Sequence, residues 1–172
     1  MSGKPDMVGV GRRVRYMPIT IRPGELTDIP LIAAIRAQEW GTESFWTDRI
    51  GLYLSGEHSP QEALPARAAF VAMDGTKLVG FVAGHRTRRL GCDAELQWVN
   101  VVEEKRGRGI ADGMMAKVGT WFVEQNAVRV CVNVDPGNTA ARKLYARCGA
   151  QPLNDLWMIW EDARAMSTWV DK

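Results

Sequence analysis

The sequence predicts an α+β domain, a mixed and mostly antiparallel sheet flanked by helices, on three observations. Runs that alternate apolar and polar residues are interleaved with runs whose apolar residues recur at helical spacing. The tripeptide Asp74-Gly75-Thr76 joins two β-rich runs as a hairpin, which makes the sheet antiparallel there. A strand-helix-strand passage between about Glu95 and Val134 demands one parallel pair. The predicted order is β-α-α-β-β-β-α-β-α-β.

Ile19 to Arg22 alternates and is closed by Pro23-Gly24, which marks the first strand and its turn. From Thr27, Ile29, Leu31, Ile32, Ile35 and Ala37 keep helical spacing, with Thr27 or Asp28 as the N-cap. A second helix runs from about Thr42 to Leu54, followed by a loop from Ser55 to Pro65. Ala68 to Met73 and Lys77 to Gly84 form the hairpin, and Glu95 to Val102 is the next strand. Ile110, Met114, Val118 and Trp121 mark a long amphipathic helix. Val128 to Val134 is almost wholly apolar, as in a strand buried on both faces. Asp135-Pro136-Gly137 turns the chain, Asn138 caps a helix that stops at Gly149, and Leu156 to Trp160 is the last strand.

A chain of 172 residues fits one domain, here 19–172, behind a flexible basic arm over 1–18 that lacks periodicity. That arm includes Arg12-Arg13, but no apolar stretch follows it, so export is not predicted. Hydrophobic content of 46% and charged content of 24% place the chain among globular proteins. A net charge of +2 gives no nucleic-acid footprint, and no apolar run reaches the roughly 18 residues of a membrane span. Cys92, Cys131 and Cys148 are odd in number and contain no CxxC pair, so they read as buried thiols of a cytoplasmic protein rather than disulfides or a metal site.

Chemistry concentrates in Val99 to Ala111, where a strand passes through Gly107 and Gly109 directly into a helix. Such a turn bares N–H groups at the positive end of a helix dipole, a site for a phosphate or pyrophosphate. Arg106 and Arg108 can add charge-assisted contacts. A glycine pair before a helix is also an ordinary tight turn, so this segment alone leaves both readings open. Two other phosphate classes fit badly. A Walker A loop needs Lys-Ser/Thr where Met114 and Met115 follow Gly113, and a dinucleotide fingerprint needs glycine where Asp112 stands.

Arg106-x-x-Gly109-x-Ala111 resembles the pyrophosphate motif of the GNAT superfamily of N-acetyltransferases, (Gln/Arg)-x-x-Gly-x-(Gly/Ala). Asn138-x-x-Ala141-x-x-Leu144-Tyr145-x-x-x-Gly149 resembles the same superfamily's second motif, in register and after the expected strand. The resemblance spans Ile19 to Trp160 and is tightest from Glu95 to Ala150. Glu103 departs from it, since many members carry proline there.

The resemblance implies a six- to seven-stranded sheet with a V-shaped opening between the strands that end near Val101 and Val134. The pantetheine arm of acetyl-CoA would lie in the gap. A bulge there would free N–H groups near Asn100 and Val101 for the pantetheine amides and the thioester oxygen. The implied cofactor contacts are Asn100, Val101, Val102, Arg106, Gly107, Arg108, Gly109, Ile110, Ala111, Asn138, Ala141 and Tyr145, with no metal. The implied reaction moves an acetyl group directly to a primary amine of a small molecule or protein. A lysine-like amine is neutral only about once in a few thousand molecules at pH 7, roughly 4 to 5 kcal/mol, so a base must help. By position Glu95 resembles the glutamate that some members use, directly or through a water. An ordinary salt-bridged strand glutamate is the alternative.

Tyr145 is the candidate acid for the leaving thiol, or else a buried tyrosine filling the helix-to-sheet contact. Arg142, Lys143 and Arg147 read as a basic surface at a helix C-terminus, and His58 and His85 as surface or satisfied histidines. Cys148 shows no neighbouring base and so is not an acyl carrier. The acceptor would meet the two early helices and the link Gln151 to Asp155, where Trp40, Phe45, Trp46, Tyr53, Trp157 and Trp160 either form an aromatic wall or, as such residues more often do, belong to the core, and where Glu39 and Glu43 could attract an amine if they face the cleft. A homodimer is compatible with the resemblance. A reading of another class is a non-catalytic acyl-CoA sensor in which the acid and base are idle.

Overall fold

Alternation in Ile19–Pro23 gives β1, and the computed structural model, which describes residues 18–167, builds the rest in the predicted order. The arm over 1–18 therefore lies outside the described residues except for Pro18. The helices are α1 Ile29–Glu39, α2 Glu43–Ser55, α3 Ile110–Glu124 and α4 Thr139–Arg147. The strands are β2 Ala63–Asp74, β3 Lys77–Thr87, β4 Ala94–Val101, β5 Val130–Asn133, β6 Gln151–Pro152 and β7 Trp157–Trp160. They form one seven-stranded sheet in the order β1-β2-β3-β4-β5-β7-β6, antiparallel except for the β4–β5 pair. The two-residue β6, which the sequence did not announce, is the added strand.

Boundaries differ where side chains compete with backbone. Asp28 does not cap α1: its carboxylate accepts two bonds from Arg22, at 2.8 and 2.9 Å, and one from the Glu25 N–H at 2.7 Å. That grip holds the Asp28 carboxyl below the usual aspartate range. β2 begins inside the expected loop, at Ala63, through an irregular pairing in which Ala63 meets Thr87 and Arg67 meets His85 around Pro65. β5 loses Val128 and Arg129, because both N–H groups donate to Asp93 Oδ2 at 2.9 Å instead of joining the ladder. Asn154 Oδ1 likewise takes the N–H groups of Leu156 and Trp157, so β7 starts at Trp157.

The period of two in β3 sorts the two layers. His85 meets Tyr53 of α2 on one face, while Gly84 meets Phe122 of α3 on the other. Met114, Met115, Val118 and Phe122 are fully buried along α3, each such side chain contributing about 1.5 to 3 kcal/mol by burial. No helix among the described residues is long and apolar enough to cross a membrane.

A Cβ on Gly84 would stand 2.5 Å from Phe122 Cζ and 3.0 Å from the Glu95 carbonyl oxygen, so α3 packs here at a distance only glycine permits. Gly84→Ala is expected to cost about 1 to 3 kcal/mol by overpacking, read from the denaturant midpoint. An unchanged midpoint would mean that Phe122 swings aside freely.

Candidate active site

The parallel pairing of β4 with β5 covers only Ala94 to Leu96 against Val130 to Val132. In β3, Ala83 pairs with Trp98 and Gly84 with Leu96, so Gln97 is the extra residue of a bulge. A bulge bends its strand, and beyond it β4 runs away from β5. The bulge lies at Gln97, and beyond it Asn100 and Val101 pair regularly with Phe81 and Gly80. The gap is a cleft of about 860 Å³ whose walls include Gln97 to Val101 of β4, Asn133 to Asp135 after β5, and one face of α4.

Strand alternation decides which β4 amides reach the cleft. The Val102 N–H is spent on the Val79 carbonyl at 2.9 Å, which directs the Asn100 amide toward β3 as well. The amides of Val99 and Val101 then point to the open edge. Val102 is thereby removed as a main-chain donor and sits in the core, while Asn100 enters the cleft by its side chain. Val99, which sequence reasoning had not singled out, takes the place assigned to Asn100; counting alternation back from the turn could have found it.

At the far end, Gly107 and Gly109 adopt left-handed backbones with φ of +74° and +78°, and a Cβ at either would meet nothing within 4 Å. The first helical bond of α3 is Gly113 N–H to Gly109 O at 3.1 Å, so the amides of Ile110, Ala111 and Asp112 are the orphan donors of the first turn. Among the described residues no acceptor takes the N–H of Gly107, Arg108 or Gly109, whereas that of Arg106 is used by Glu103 O at 3.2 Å. Glu103 itself opens a short 3-10 turn, a position that proline fills equally well. The Arg106 side chain lines the cleft but is committed, donating to Val101 O at 3.0 Å and lying 3.5 Å from Glu39. Arg108 is exposed and outside the cleft lining.

From α1, Arg36 stacks on Trp46 at 4.4 Å and donates to Asn100 Oδ1 at 3.0 Å, while Asn100 Nδ2 donates to Glu39 Oε1 at 3.4 Å. Burial lowers the Arg36 guanidinium from its ordinary range, and its Nε is buried without a partner. From α4, Asn138 caps the helix by accepting the Ala141 N–H at 3.1 Å, and Ala141 and Tyr145 face the cleft. Tyr145 is 6% exposed, packs edge-on against Trp160 at 5.7 Å, and its hydroxyl has no protein partner among the described residues. Burial pushes its phenol up to about 12, with Arg36 opposing.

The expected basic surface on α4 is partly consumed. Arg147 clamps Asp112 of α3 at 2.9 and 3.1 Å, and Arg142 reaches Asp155 O at 3.4 Å. Cys148 lies 4.0 Å from Asp112, and burial, then that carboxylate, pushes its thiol up to about 11, which makes it a poor nucleophile.

Glu95 is 4% exposed and lines the cleft at its closed end, where β4 and β5 are still paired. Its Oε2 is buried 3.3 Å from His85 Nε2, and its Oε1 is 3.7 Å from Arg89 Nη1. The expectation of a surface or satisfied His85 needs correction: the ring is 0% exposed, bonded at Nδ1 but not at Nε2. The aromatic wall also needs correction. Tyr53, Trp46, Trp157 and Trp160 belong to the core, Trp40 and Phe45 are exposed but outside the cleft lining, and the aromatic that lines it beside Tyr145 is Trp98. Glu39 lines the cleft and Glu43 does not. Among the described residues no group of three or more His, Cys, Asp or Glu could hold a metal ion.

A mixed sheet splayed beside its one parallel pair, with bare amides where the next helix begins, defines an acyltransferase-type cleft. The sequence matches the profile of the acetyltransferase (GNAT) family over residues 34–150, and the chain belongs to that family. No curated protein sequence matches it significantly. Among solved structures it resembles an acetyltransferase from Thermus thermophilus, with a TM-score of 0.65 at 18% identity over 84% of this chain and 97% of that one. It also resembles the PaiA N-acetyltransferase of Thermoplasma acidophilum in complex with coenzyme A, at a TM-score of 0.60 and 15% identity over 83% and 98% of the two chains. A third is the spermidine/spermine N-acetyltransferase SpeG of Vibrio cholerae, at 0.62 and 20% over 90% and 98%. At these identities the likeness is one of fold.

Because Gly109 needs a left-handed backbone, Gly109→Val is expected to strain the turn by about 1 to 3 kcal/mol and to weaken coenzyme A binding at least tenfold in calorimetry. Undiminished binding would show that the amides of this turn do not hold the ligand.

Proposed function

We propose that this protein is an acetyl-CoA-dependent N-acetyltransferase that acylates a primary amine by direct transfer. The observation that carries the reading is the set of unengaged amides at residues 107 and 109–112, in the same cleft as the freed edge of β4 and the side chains of Tyr145 and Glu95. The turn fits a diphosphate, because the donors are unpaired and the space a Cβ would take is open. The amides of Val99 and Val101 offer donors to the pantetheine arm and to the thioester oxygen, which gains charge during attack.

In this reading Glu95 receives the amine proton as the nitrogen bonds to the thioester carbon. The carbon–sulfur bond breaks, and Tyr145 donates to the departing sulfur, so that amide and free thiol are the products. A phenol held near 12 keeps its hydrogen across the neutral and mildly alkaline range, so it remains a donor wherever the amine is reactive. Its own titration should therefore put no alkaline limb on the rate below about pH 10. A small-molecule amine and a protein amine both remain acceptors in this proposal, and a cytoplasmic setting remains part of it.

The test is thiol release from acetyl-CoA, corrected for hydrolysis, across a panel of polyamines, amino acids and peptides. Tyr145→Phe is expected to lower kcat about 100-fold, with the coenzyme A-induced rise in melting temperature preserved. Wild-type stabilisation by coenzyme A without turnover of any amine would replace the enzyme with a sensor. Absence of that stabilisation would remove the cofactor assignment altogether.

A further inference from the structure

The proposed reaction uses Glu95 but not the buried pair behind it. His85 and Glu95 face each other directly in the β3–β4 register, on the sheet face covered by α2. Tyr53, on α2, places its hydroxyl 2.8 Å from His85 Nδ1. Tyr53 and His85 are each 0% exposed, and Glu95 only 4%. Polar groups are expensive to bury, and an apolar trio would pack this space at less cost. We propose that Tyr53 and His85 are positioning residues that hold the Glu95 carboxylate in orientation for proton removal from the acceptor amine, an inference that rests on Glu95 being the base.

The direction of the hydrogen bonds follows from what each atom can do. Burial, followed by the Glu95 charge, raises the Tyr53 phenol above its usual range, so the hydroxyl keeps its hydrogen. With Glu95 as the base, the His85 nitrogen that faces it must donate, which leaves Nδ1, 2.8 Å from the Tyr53 hydroxyl, to accept from that hydroxyl. A neutral imidazole that accepts at Nδ1 must carry its hydrogen on Nε2, which faces Glu95 Oε2 at 3.3 Å. Both Nε2 and Oε2 are buried with no better partner, and a small rotation of the carboxylate would complete their bond. Oε2 is then pinned, and Oε1 is the oxygen left to meet the cleft.

The charged and titratable groups packed around this line come from every neighbouring element. Arg89 Nη1, from the turn after β3, lies 3.7 Å from Oε1. Arg67 of β2 lies 4.8 Å over the Tyr53 ring and bonds the carbonyls of Tyr53 and His58. Cys131 of β5 pairs with Glu95 in register.

Two measurements test the pair. In 15N spectra of histidine-labelled protein, His85 is expected as the Nε2–H tautomer, and the Nδ1–H tautomer would overturn the assignment. In kinetics with the best acceptor of the panel, His85→Leu is expected to lower kcat about tenfold or more, leave the KM for acetyl-CoA unchanged, and move the acid limb of kcat/KM to higher pH. His85→Gln, which returns an N–H donor, should restore most of both. Tyr53→Phe removes one oxygen and should shift the same limb even where His85→Leu folds poorly. If His85→Leu and His85→Gln lose rate equally with the acid limb unmoved, the pair is only structural and the inference fails while the base survives. Glu95→Gln at the wild-type rate would instead remove the base, and this inference with it.

Discussion

The parting of β4 from β5 after Leu96 is the constraint on which the rest of the molecule depends. A parallel pair continued to Val101 would saturate both strand edges and leave neither a cleft nor free amides. One additional residue, Gln97, prevents this by bending β4 toward β3, with which it stays paired to its end. The energetic cost of unpaired strand edges is offset by the packing of α3, whose apolar side is fully buried against β2, β3 and β4. Gly84, opposite the start of the bulge, is a point of close approach by α3, so the packing that secures the fold and the irregularity that opens it share one place.

Charge within the cleft is arranged by self-pairing rather than by excess of one sign. Glu39 holds Arg106 and Asn100, Asp112 holds Arg147, and Arg36 leans on Trp46 and Asn100. What remains available to an anion is therefore mostly main chain. Backbone donors fixed by a helix and two left-handed glycines need little reorganisation when a ligand arrives, unlike long side chains, which lose rotamer freedom. The Nε bond of Arg106 to the Val101 carbonyl likewise fixes the path of the turn.

Most of the architecture was legible because it rests on local signals. Hairpin chemistry at Asp74-Gly75-Thr76, the Asn138 cap, the Gly149 stop and the periodicity of α1 to α4 each act over a few residues. Where the reading slipped, a distant side chain had intervened: Asp93 withdrew Val128 and Arg129 from β5, and Arg22 withdrew Asp28 from its helix. In the site, the turn from Gly107 to Ala111 and the face of α4 could be read from motif spacing. The bulge could not, because its position depends on the register between β3 and β4, which no single segment encodes. The wall of aromatics failed for a related reason: composition says that Trp46, Tyr53 and Trp160 are large, not which side of a strand or helix they occupy. His85 carries no motif of its own: its contacts come from Glu95 opposite and Tyr53 above.

The two ends of the cleft are consequently built on different principles. At the turn, the chemistry on offer is a property of backbone conformation, so many side chains would serve at position 108 but few at 107 or 109. At the paired end, it is a property of three particular side chains stacked through the sheet face, where a carboxylate is kept almost dry and yet reaches the cleft. Dryness strengthens each contact to that carboxylate and enlarges the cost of leaving it without one. Most side-chain changes around the turn therefore leave its backbone donors in place. A change at the paired end, by contrast, would have to alter β3, β4 and α2 together, because Glu95, His85 and Tyr53 sit on all three.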